Sequence, residues 1–407
     1  MAAQQESPAF SGTFSDLGIA PRILETLNRL GYRHPTPIQE KAIPTGIEGK
    51  DMMGIAQTGT GKTLAFGIPM LQRLASMSGM GLVVLPTREL ALQVEEMLKK
   101  IGPGLGMRTA VLIGGTGMGP QISALRNKPS IIIATPGRLI DHLEHRSVRL
   151  DMVKILVLDE ADRMLDMGFA PQLNKILSAI PRERQTMLFS ATMPSEITKI
   201  ATRFMRLPLR IEVAPAGTTV ARVTQEIFIV GRHDKERLLE KLLGEYRGTT
   251  LVFTRTKWGA KKLMRAVKSM GHSTAELHGN RSLGQRKEAL DGFKTGRYRV
   301  LVATDIASRG IDVVGINLVV NYDLPMDAGD YVHRIGRTAR AGAGGHAISF
   351  ATPEERRDLR DIERLINKTL PISKLPENLP PQRSRLQSER EPMRNFRGNN
   401  RFNQRRR

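Results

Sequence analysis

The chain of 407 residues contains no cysteine, which excludes disulfide bonds, zinc sites built on thiolates and a cysteine nucleophile. It also lacks any apolar run near the roughly eighteen residues of a membrane-spanning helix. The start, Met-Ala-Ala-Gln-Gln-Glu, lacks the charged and then apolar profile of a signal peptide. We therefore expect a cytoplasmic protein.

Acidic residues are in short supply, because 40 Asp and Glu stand against 62 Lys and Arg, a formal net charge of +22. Such a charge indicates a polyanionic partner, and nucleic acid is favoured over membrane because no basic amphipathic anchor helix is evident. Hydrophobic residues at 40% and charged residues at 25% are typical of a globular protein, and the length suffices for two domains.

Short apolar runs alternate with helical patterns along the chain, which predicts βαβ units and parallel sheets. The first series of predicted strands lies near Asp51–Ala56, Gly81–Leu85, Thr109–Ile113, Ile131–Ala134, Ile155–Leu158 and Thr186–Phe189. The second lies near Thr224–Val230, Thr249–Phe253, Tyr298–Ala303, Leu318–Asn321 and Gly345–Phe350. Two α/β domains are therefore expected.

Two stretches interrupt this alternation. Prolines and small residues between Pro208 and Arg222 break the helical pattern and predict a linker. From Pro371 onward one Lys and nine Arg stand against three Glu, a net charge of +7, which predicts a disordered basic tail. The predicted division is an N-terminal region over 1–40, a first domain over 41–208, a linker over 209–222, a second domain over 223–370 and a tail over 371–407.

A phosphate-binding loop is predicted between Ala56 and Thr63. Its glycines let the backbone curl so that N–H groups point at phosphate oxygens, and a helix that starts near Lys62 adds its positive end. Lys62 can reach the β- and γ-phosphates, and the Thr63 hydroxyl can bind Mg²⁺. The predicted loop consists of Ala56, Gln57, Thr58, Gly59, Thr60, Gly61, Lys62 and Thr63.

Later in the chain, Asp159-Glu160-Ala161-Asp162 follows the apolar run Lys154–Leu158. Acidic residues at the end of such a strand predict a magnesium and water site. Together with the phosphate-binding loop, this site indicates a nucleoside triphosphatase.

A chain with this loop, the Asp-Glu-Ala-Asp sequence and a second α/β domain resembles the DEAD-box RNA helicases, over about 360 of 407 residues. The resemblance implies two tandem RecA-like domains, ATP and Mg²⁺ as cofactors, and RNA as partner. Asp159 would hold Mg²⁺, and Glu160 would orient and deprotonate the attacking water. Asp162 would tie this motif to Ser190-Ala191-Thr192, which resembles the family's coupling motif and contributes Ser190 and Thr192.

Further segments resemble motifs of the same family. Gly31–Gln39 is similar to the adenine-reading Q motif, in which the Gln39 amide would pair with the adenine edge and Phe14 upstream would stack on its face. His333–Arg340 is similar to the final motif, in which Arg337 and Arg340 would be arginine fingers on the γ-phosphate. Its Ala339 stands where glycine is usual. In the preceding motif, Asp312 would bind the ribose hydroxyls and Thr304 an RNA phosphate.

The resemblance also implies RNA contacts from short loops at strand ends. Hydroxyls, backbone N–H groups and arginines suit phosphate oxygens and carry no base information, so sequence-independent binding is expected. The implied residues are Arg88, Gly114, Gly115, Thr135, Arg138, Arg255, Thr256, His278, Gly279 and Thr304. One motif departs from the family, because Leu283 stands where Gln often precedes Arg286 in a Gln-x-x-Arg pattern, which puts a polar contact to the RNA-binding region in doubt.

The implied activity is RNA-stimulated ATP hydrolysis with local unwinding of short RNA duplexes and remodelling of RNA or RNA–protein complexes. One alternative is a DNA helicase or translocase of related architecture. Another is an ATP-dependent RNA clamp or annealing chaperone that does not unwind. Stimulation of the ATPase by RNA, compared with single-stranded DNA, distinguishes an RNA helicase from the DNA enzyme. Strand displacement with and without ATP distinguishes it from the clamp or chaperone.

Overall fold

A computed structural model describes residues 12–56, 59–213, 223–305, 313, 315–338 and 345–381. The first sheet consists of β1 (Met52–Ile55), β2 (Met80–Val84), β3 (Thr109–Leu112), β4 (Ile131–Ala134), β5 (Val153–Leu158), β6 (Gln185–Ser190) and β7 (Leu209–Glu212). The second consists of β8 (Val223–Ile229), β9 (Thr250–Phe253), β10 (Thr274–Leu277), β11 (Val300–Ala303), β12 (Leu318–Asn321), β13 (Gly345–Ala351) and β14 (Ile372–Ser373).

The two sheets have the same topology. Their spatial orders are β3-β4-β2-β5-β6-β1-β7 and β10-β11-β9-β12-β13-β8-β14, with parallel pairing throughout. When the strands are numbered within each domain, the two orders are identical. The predicted fold class, two α/β domains with parallel sheets flanked by helices, is therefore confirmed.

Helices flank both sheets. The first domain contains α1 (Pro21–Arg29), α2 (Pro37–Ile47), α3 (Lys62–Ser76), α4 (Arg88–Ile101), α5 (Met118–Arg126), α6 (Pro136–Glu144), α7 (Ala161–Asp166), α8 (Ala170–Ala179) and α9 (Ser195–Phe204). The second contains α10 (Lys235–Glu245), α11 (Lys257–Ser269), α12 (Leu283–Lys294), α13 (Ala328–Ile335) and α14 (Arg356–Ile366). In the described part of the chain, no helix has both the length and the apolar character needed to cross a membrane.

Each sheet is buried on both faces, because successive strand residues point to opposite sides. In β5, Ile155 joins the hydrophobic cluster on one face and Leu156 joins the cluster on the other. In β11, Leu301 and Val302 divide between two clusters in the same way. The strands therefore read as continuous apolar runs, which is why most of them were recognisable in the sequence.

Two predicted boundaries were wrong. Leu209–Glu212, placed in the linker, is β7 and pairs with β1. Ile372–Ser373, placed in the tail, is β14 and pairs with β8, and the Arg237 guanidinium holds the carbonyl of Pro380 at 2.6 Å. Both strands are short edge strands with little buried apolar surface, so their sequences resemble loops. The remainder of the predicted linker and tail, 214–222 and 382–407, lies outside the described residues.

Candidate nucleotide and RNA site

Three segments assigned to nucleotide chemistry meet at one edge of the first sheet. The phosphate-binding loop follows β1, Asp159 follows β5, and Ser190 ends β6. These strands are neighbours in the order β5-β6-β1. Because parallel strands end at the same edge, segments far apart in the sequence lie side by side.

The phosphate-binding loop has the backbone that the sequence predicts. Gly59 and Gly61 have φ angles of +87° and +90°, in the left-handed region that side chains rarely tolerate. The buried Lys62 begins α3, so the helix N-terminus opens into the loop, and its Nζ donates to the Ala56 carbonyl at 3.1 Å. Thr63 follows in α3, whereas Gln57 and Thr58 lie outside the described residues.

Asp159 lies next to this loop. Its Oδ1 is 3.9 Å from the Lys62 Nζ and accepts a hydrogen bond from the Glu160 N–H at 2.9 Å. Burial raises the pKa of Asp159 to about 6, against the opposing effect of Lys62, and the charge of Glu160 adds to the rise. Burial makes the charged form of the Asp159 carboxylate unfavourable. A divalent cation bound to its oxygens would offset this cost.

Glu160 adopts a strained backbone conformation, with φ +53°, at the point where β5 turns into α7. Its Oε2 accepts a hydrogen bond from Nη1 of Arg163 at 3.2 Å, and both side chains are buried. Arg163 was absent from the predicted site. The signal that could have identified it is its position three residues after Glu160 at the start of a helix.

Asp162 connects this segment to the end of β6. Its Oδ2 accepts hydrogen bonds from the backbone N–H groups of Ala191 and Thr192 at 3.0 and 2.9 Å, and from the Thr192 hydroxyl at 3.0 Å. The Asp162 N–H in turn donates to the Ser190 hydroxyl at 3.3 Å. The contact implied between these two segments is therefore present.

Gln39 is buried against the phosphate-binding loop. Its Nε2 donates to the Gly61 carbonyl at 3.0 Å, and its Oε1 accepts from the Thr36 N–H at 2.9 Å. The Thr36 hydroxyl also donates to the Thr60 carbonyl at 2.7 Å. The first turn of α2 therefore contacts the phosphate-binding loop. The Gln39 side-chain amide keeps one N–H and one oxygen lone pair that these hydrogen bonds do not use.

Phe14 packs into the first domain at its N-terminal end. It is 4% exposed and belongs to the hydrophobic core of that domain. Stacking of its ring on adenine stays a prediction.

The predicted RNA-contacting loops of the first domain lie at the ends of β2, β3 and β4, which are neighbours in the sheet. The Arg88 guanidinium lies against Gly114 and Gly115, where a Cβ would meet it at 3.2 and 2.0 Å respectively. Arg138 donates to the Thr116 carbonyl at 3.0 Å, and Thr135 occupies the N-cap position of α6. The three loops thus form one continuous surface.

In the second domain the predicted RNA-contacting loops follow β9, β10 and β11, which occupy the corresponding places in their sheet. Arg255 donates to Glu355 at 2.9 Å, and Thr256 caps α11. His278 is buried, and its pKa is lowered by burial and by nearby Lys261, Arg286 and Lys257. Gly279 follows it, and the Thr304 N–H donates to the Leu277 carbonyl at 3.1 Å.

Arg337, a predicted finger, is buried, and it lines a small cavity together with Arg163 of the first domain. Arg334, three residues earlier, forms a bidentate ion pair with Asp305, with Nε–Oδ1 and Nη2–Oδ2 distances of 2.5 and 2.7 Å. Arg334 therefore anchors α13, a role that the sequence did not reveal. Arg340 and Asp312 lie outside the described residues.

A buried ion pair connects the two domains. Nη2 of Arg286 in α12 lies 2.9 Å from Oε2 of Glu89 in α4, and both side chains are at most 9% exposed. Leu283, one turn earlier in α12, packs against the hydrophobic core of the first domain. The unusual Leu283 therefore makes an apolar contact beside an ionic one.

Comparisons with known proteins agree with this geometry. Residues 36–200 match the family model described as DEAD/DEAH box helicase, and residues 234–342 match the Helicase conserved C-terminal domain. ATP-dependent RNA helicase CshA of Listeria monocytogenes is 45% identical over 362 residues, which span 88% of this chain and 69% of that protein. DEAD-box ATP-dependent RNA helicase CshA of Bacillus subtilis is 44% identical over 367 residues, 89% of this chain and 74% of that protein.

Similar solved structures contain nucleotide and RNA. S. cerevisiae Dbp5 bound to RNA and ADP BeF3 has a TM-score of 0.80 and 31% identity, covering 89% of this chain and 95% of that chain. Mss116p bound to ssRNA and AMP-PNP has a TM-score of 0.83 and 29% identity, covering 91% of this chain and 81% of that chain. The chain belongs to the DEAD-box family of ATP-dependent RNA helicases.

Proposed function

We propose that this protein is an RNA-stimulated ATPase that hydrolyses ATP between its two domains and locally unwinds short RNA duplexes. The observation that carries the proposal is the cavity shared by Arg163, which holds Glu160, and Arg337 of the second domain. A site completed by both domains makes hydrolysis depend on their arrangement. Relatives named ATP-dependent RNA helicases support the proposed use of ATP and RNA.

The residues at the first sheet fit ATP and Mg²⁺. Gly59 and Gly61 have left-handed backbones and carry no Cβ at these two positions, and the Lys62 ammonium is buried beside the loop. Thr63 and Asp159 supply the hydroxyl and carboxylate oxygens that suit Mg²⁺, which when bound neutralises phosphate charge. The remaining N–H of Gln39 is proposed to contact the adenine edge, and Asp312 the ribose.

In the proposed reaction, Glu160 accepts a proton from the attacking water, and its hydrogen bond to Arg163 fixes the direction of its carboxylate. Arg337 and Arg340 stabilise the negative charge that develops on the transferring phosphoryl group. Asp162 transmits the state of this site to Ser190 and Thr192. Arg334 acts indirectly, because its pairing with Asp305 positions the helix that precedes Arg337.

RNA is proposed to bind along the strand-end loops of both domains, through the sugar-phosphate backbone. Similar proteins solved with RNA or ssRNA support this placement. Glu89 and Arg286 join the domains. Glu89 follows the proposed RNA contact Arg88 in α4, and Arg286 lies in α12, so domain closure and RNA binding involve the same helix α4. A strand bent by both domains cannot remain in a regular duplex, which gives local strand separation.

We propose further that the connection between the domains is confined to 213–222, between the last strand of the first sheet and the first strand of the second. The basic segment beyond residue 381 would assist RNA binding by charge. Because ATP and RNA are intracellular compounds, a cytoplasmic location is part of this proposal.

Two assays test the proposed function. ATPase rates are measured with RNA, with single-stranded DNA and without nucleic acid, and strand displacement from a short RNA duplex is measured with and without ATP. We expect stimulation by RNA above that by DNA, and displacement only with ATP. Equal stimulation by DNA would favour a DNA translocase. Stimulation without ATP-dependent displacement would favour an RNA clamp or annealing chaperone.

A further inference from the structure

The outer face of α11 combines positive charge with the chain's single tryptophan. The inner face of this helix packs Ala260, Leu263 and Val267 against the sheet of the second domain. The outer face carries the exposed side chains of Trp258, Lys261, Lys262, Arg265 and Lys268. No acidic residue occurs in Lys257–Ser269, so the helix contributes no negative charge of its own.

Trp258 is unusually exposed for such a large aromatic side chain, at 68%. Large aromatic side chains are largely buried in most proteins, so an exposed indole offers open ring faces to a stacking partner. Lys262 forms a surface ion pair with Glu236 at 3.2 Å. Within the described part of the chain, Lys261, Arg265 and Lys268 have no ion-pair partner, so their charges are available to a ligand.

The position of this face relates it to RNA. Thr256, a proposed RNA contact, is the N-cap of α11, and Trp258 follows it by two residues. Lys257 and Lys261 lie close enough to His278 to lower its pKa, although burial has the larger effect. The face therefore begins at the strand-end loops of the second domain and extends away from them along α11.

We propose that the outer face of α11 is an additional binding site for single-stranded RNA, with Trp258 as a stacking platform for a base. This inference rests on the proposed function, because the RNA would continue from the strand bound at the loops of both domains. An indole can stack on a base of any identity only when the base is unpaired, which favours single-stranded RNA over a duplex. Lys261, Arg265 and Lys268 would contact successive phosphates.

Intrinsic fluorescence tests this site directly, because all tryptophan emission comes from Trp258. The full-length protein is titrated with oligouridylates of increasing length in the presence of Mg²⁺ and a non-hydrolysable ATP analogue. We expect emission to be quenched once the RNA is long enough to extend beyond the loops. An oligonucleotide of the same length with abasic sites in the extension should bind without that quenching. Saturated binding of long RNA with unchanged emission would overturn the inference.

Matched variants provide a second readout. We expect Trp258→Ala, and separately Lys261→Gln with Arg265→Gln, to weaken binding of long RNA by about fivefold or more and to affect short RNA little. The controls are Met152→Ala, at an exposed apolar side chain, and Arg149→Gln with Arg182→Gln. These three control positions precede β5 or β6, so they lie at the amino ends of the strands of the first sheet, away from the strand-end loops proposed to bind RNA.

These outcomes separate the inference from the proposed function. If RNA fails to stimulate the ATPase of the unaltered protein, the proposed function fails. If RNA stimulates the ATPase but the α11 variants bind long RNA as tightly as the controls do, only the α11 site is contradicted.

Discussion

Among single residues, Glu160 shows how local geometry prepares the proposed chemistry. Its backbone has φ +53°, and its carboxylate is paired with Arg163 in a buried environment. A strained backbone costs of the order of 1–3 kcal/mol and persists only where the surroundings enforce it. Here the β5 strand before it and the α7 helix after it do so, and the carboxylate is held in one direction.

Replacing Glu160 with glutamine should separate binding from chemistry. Glu160→Gln keeps the shape and a hydrogen-bond acceptor for Arg163 but loses the proton acceptor. We expect ATP and RNA binding to persist and single-turnover hydrolysis to fall by about 10²-fold or more. Glu183→Gln, at an exposed position in the same domain, is the matched control. Hydrolysis at a near-normal rate in Glu160→Gln would remove Glu160 from the role of base.

Gln39 should influence both the loop and the choice of nucleotide. Gln39→Ala removes the side-chain donor to the Gly61 carbonyl and also the remaining N–H proposed for adenine. We expect ATP affinity to fall by about 1–3 kcal/mol and GTP affinity to fall less. Gln72→Ala, which removes an amide bonded to Ala20 and Gly18, is the control. Equal losses for ATP and GTP would show that Gln39 acts only through the loop.

Among the secondary-structure elements, α4 and α12 carry the contact between domains. Glu89 lies in the first turn of α4 and Arg286 in the first turn of α12. Removing one partner of a buried ion pair leaves an uncompensated charge, which typically costs about 3–5 kcal/mol. This cost arises only when the domains meet, because each side chain reaches solvent when they separate.

Arg286→Ala should therefore weaken domain closure and leave the fold of each domain intact. We expect a lower RNA-stimulated ATPase rate with little change in thermal unfolding, and partial recovery in the double variant Glu89→Arg, Arg286→Glu. Lys175→Ala, which breaks an exposed ion pair with Glu144, is the control. If the melting temperature of Arg286→Ala falls together with its ATPase rate, the Glu89–Arg286 ion pair contributes to folding instead.

Sequence patterns predicted those elements whose signal is local. Eleven strands were recognisable from apolar runs such as Ile131–Ala134, which are buried on both faces. β7 and β14 were missed because edge strands bury few side chains. β10 (Thr274–Leu277) was missed because its sequence is half polar. The pairing of Glu89 with Arg286 depends on tertiary packing, and no local pattern specifies it.

For the whole molecule, the net charge of +22 is concentrated partly in the segment after residue 381, which holds nine Arg and two Glu. A truncation after Pro381 should weaken RNA binding and flatten its salt dependence by up to about 0.7 in log–log slope for each arginine that contacts a phosphate. Binding is measured at several salt concentrations, and the maximal ATPase rate should persist. Unchanged salt slopes would show that the segment makes no phosphate contacts.

A shorter chain ending at Leu370 is the informative comparison for that truncation. It removes β14, which pairs with β8, and the carbonyl groups held by Arg237. We expect this variant to unfold at a lower temperature than the chain ending at Pro381. Equal melting temperatures would mean that residues 371–381 contribute nothing to the second domain.

In the proposed function the two domains close over ATP and RNA together, which requires each ligand to strengthen binding of the other. The most direct measurement is the affinity of the full-length protein for a short single-stranded RNA, with and without Mg²⁺ and a non-hydrolysable ATP analogue. We predict binding about tenfold or more tighter with the analogue, and the same factor for the analogue when RNA is present. Identical RNA affinity in the two conditions would show that the domains do not close over both ligands together.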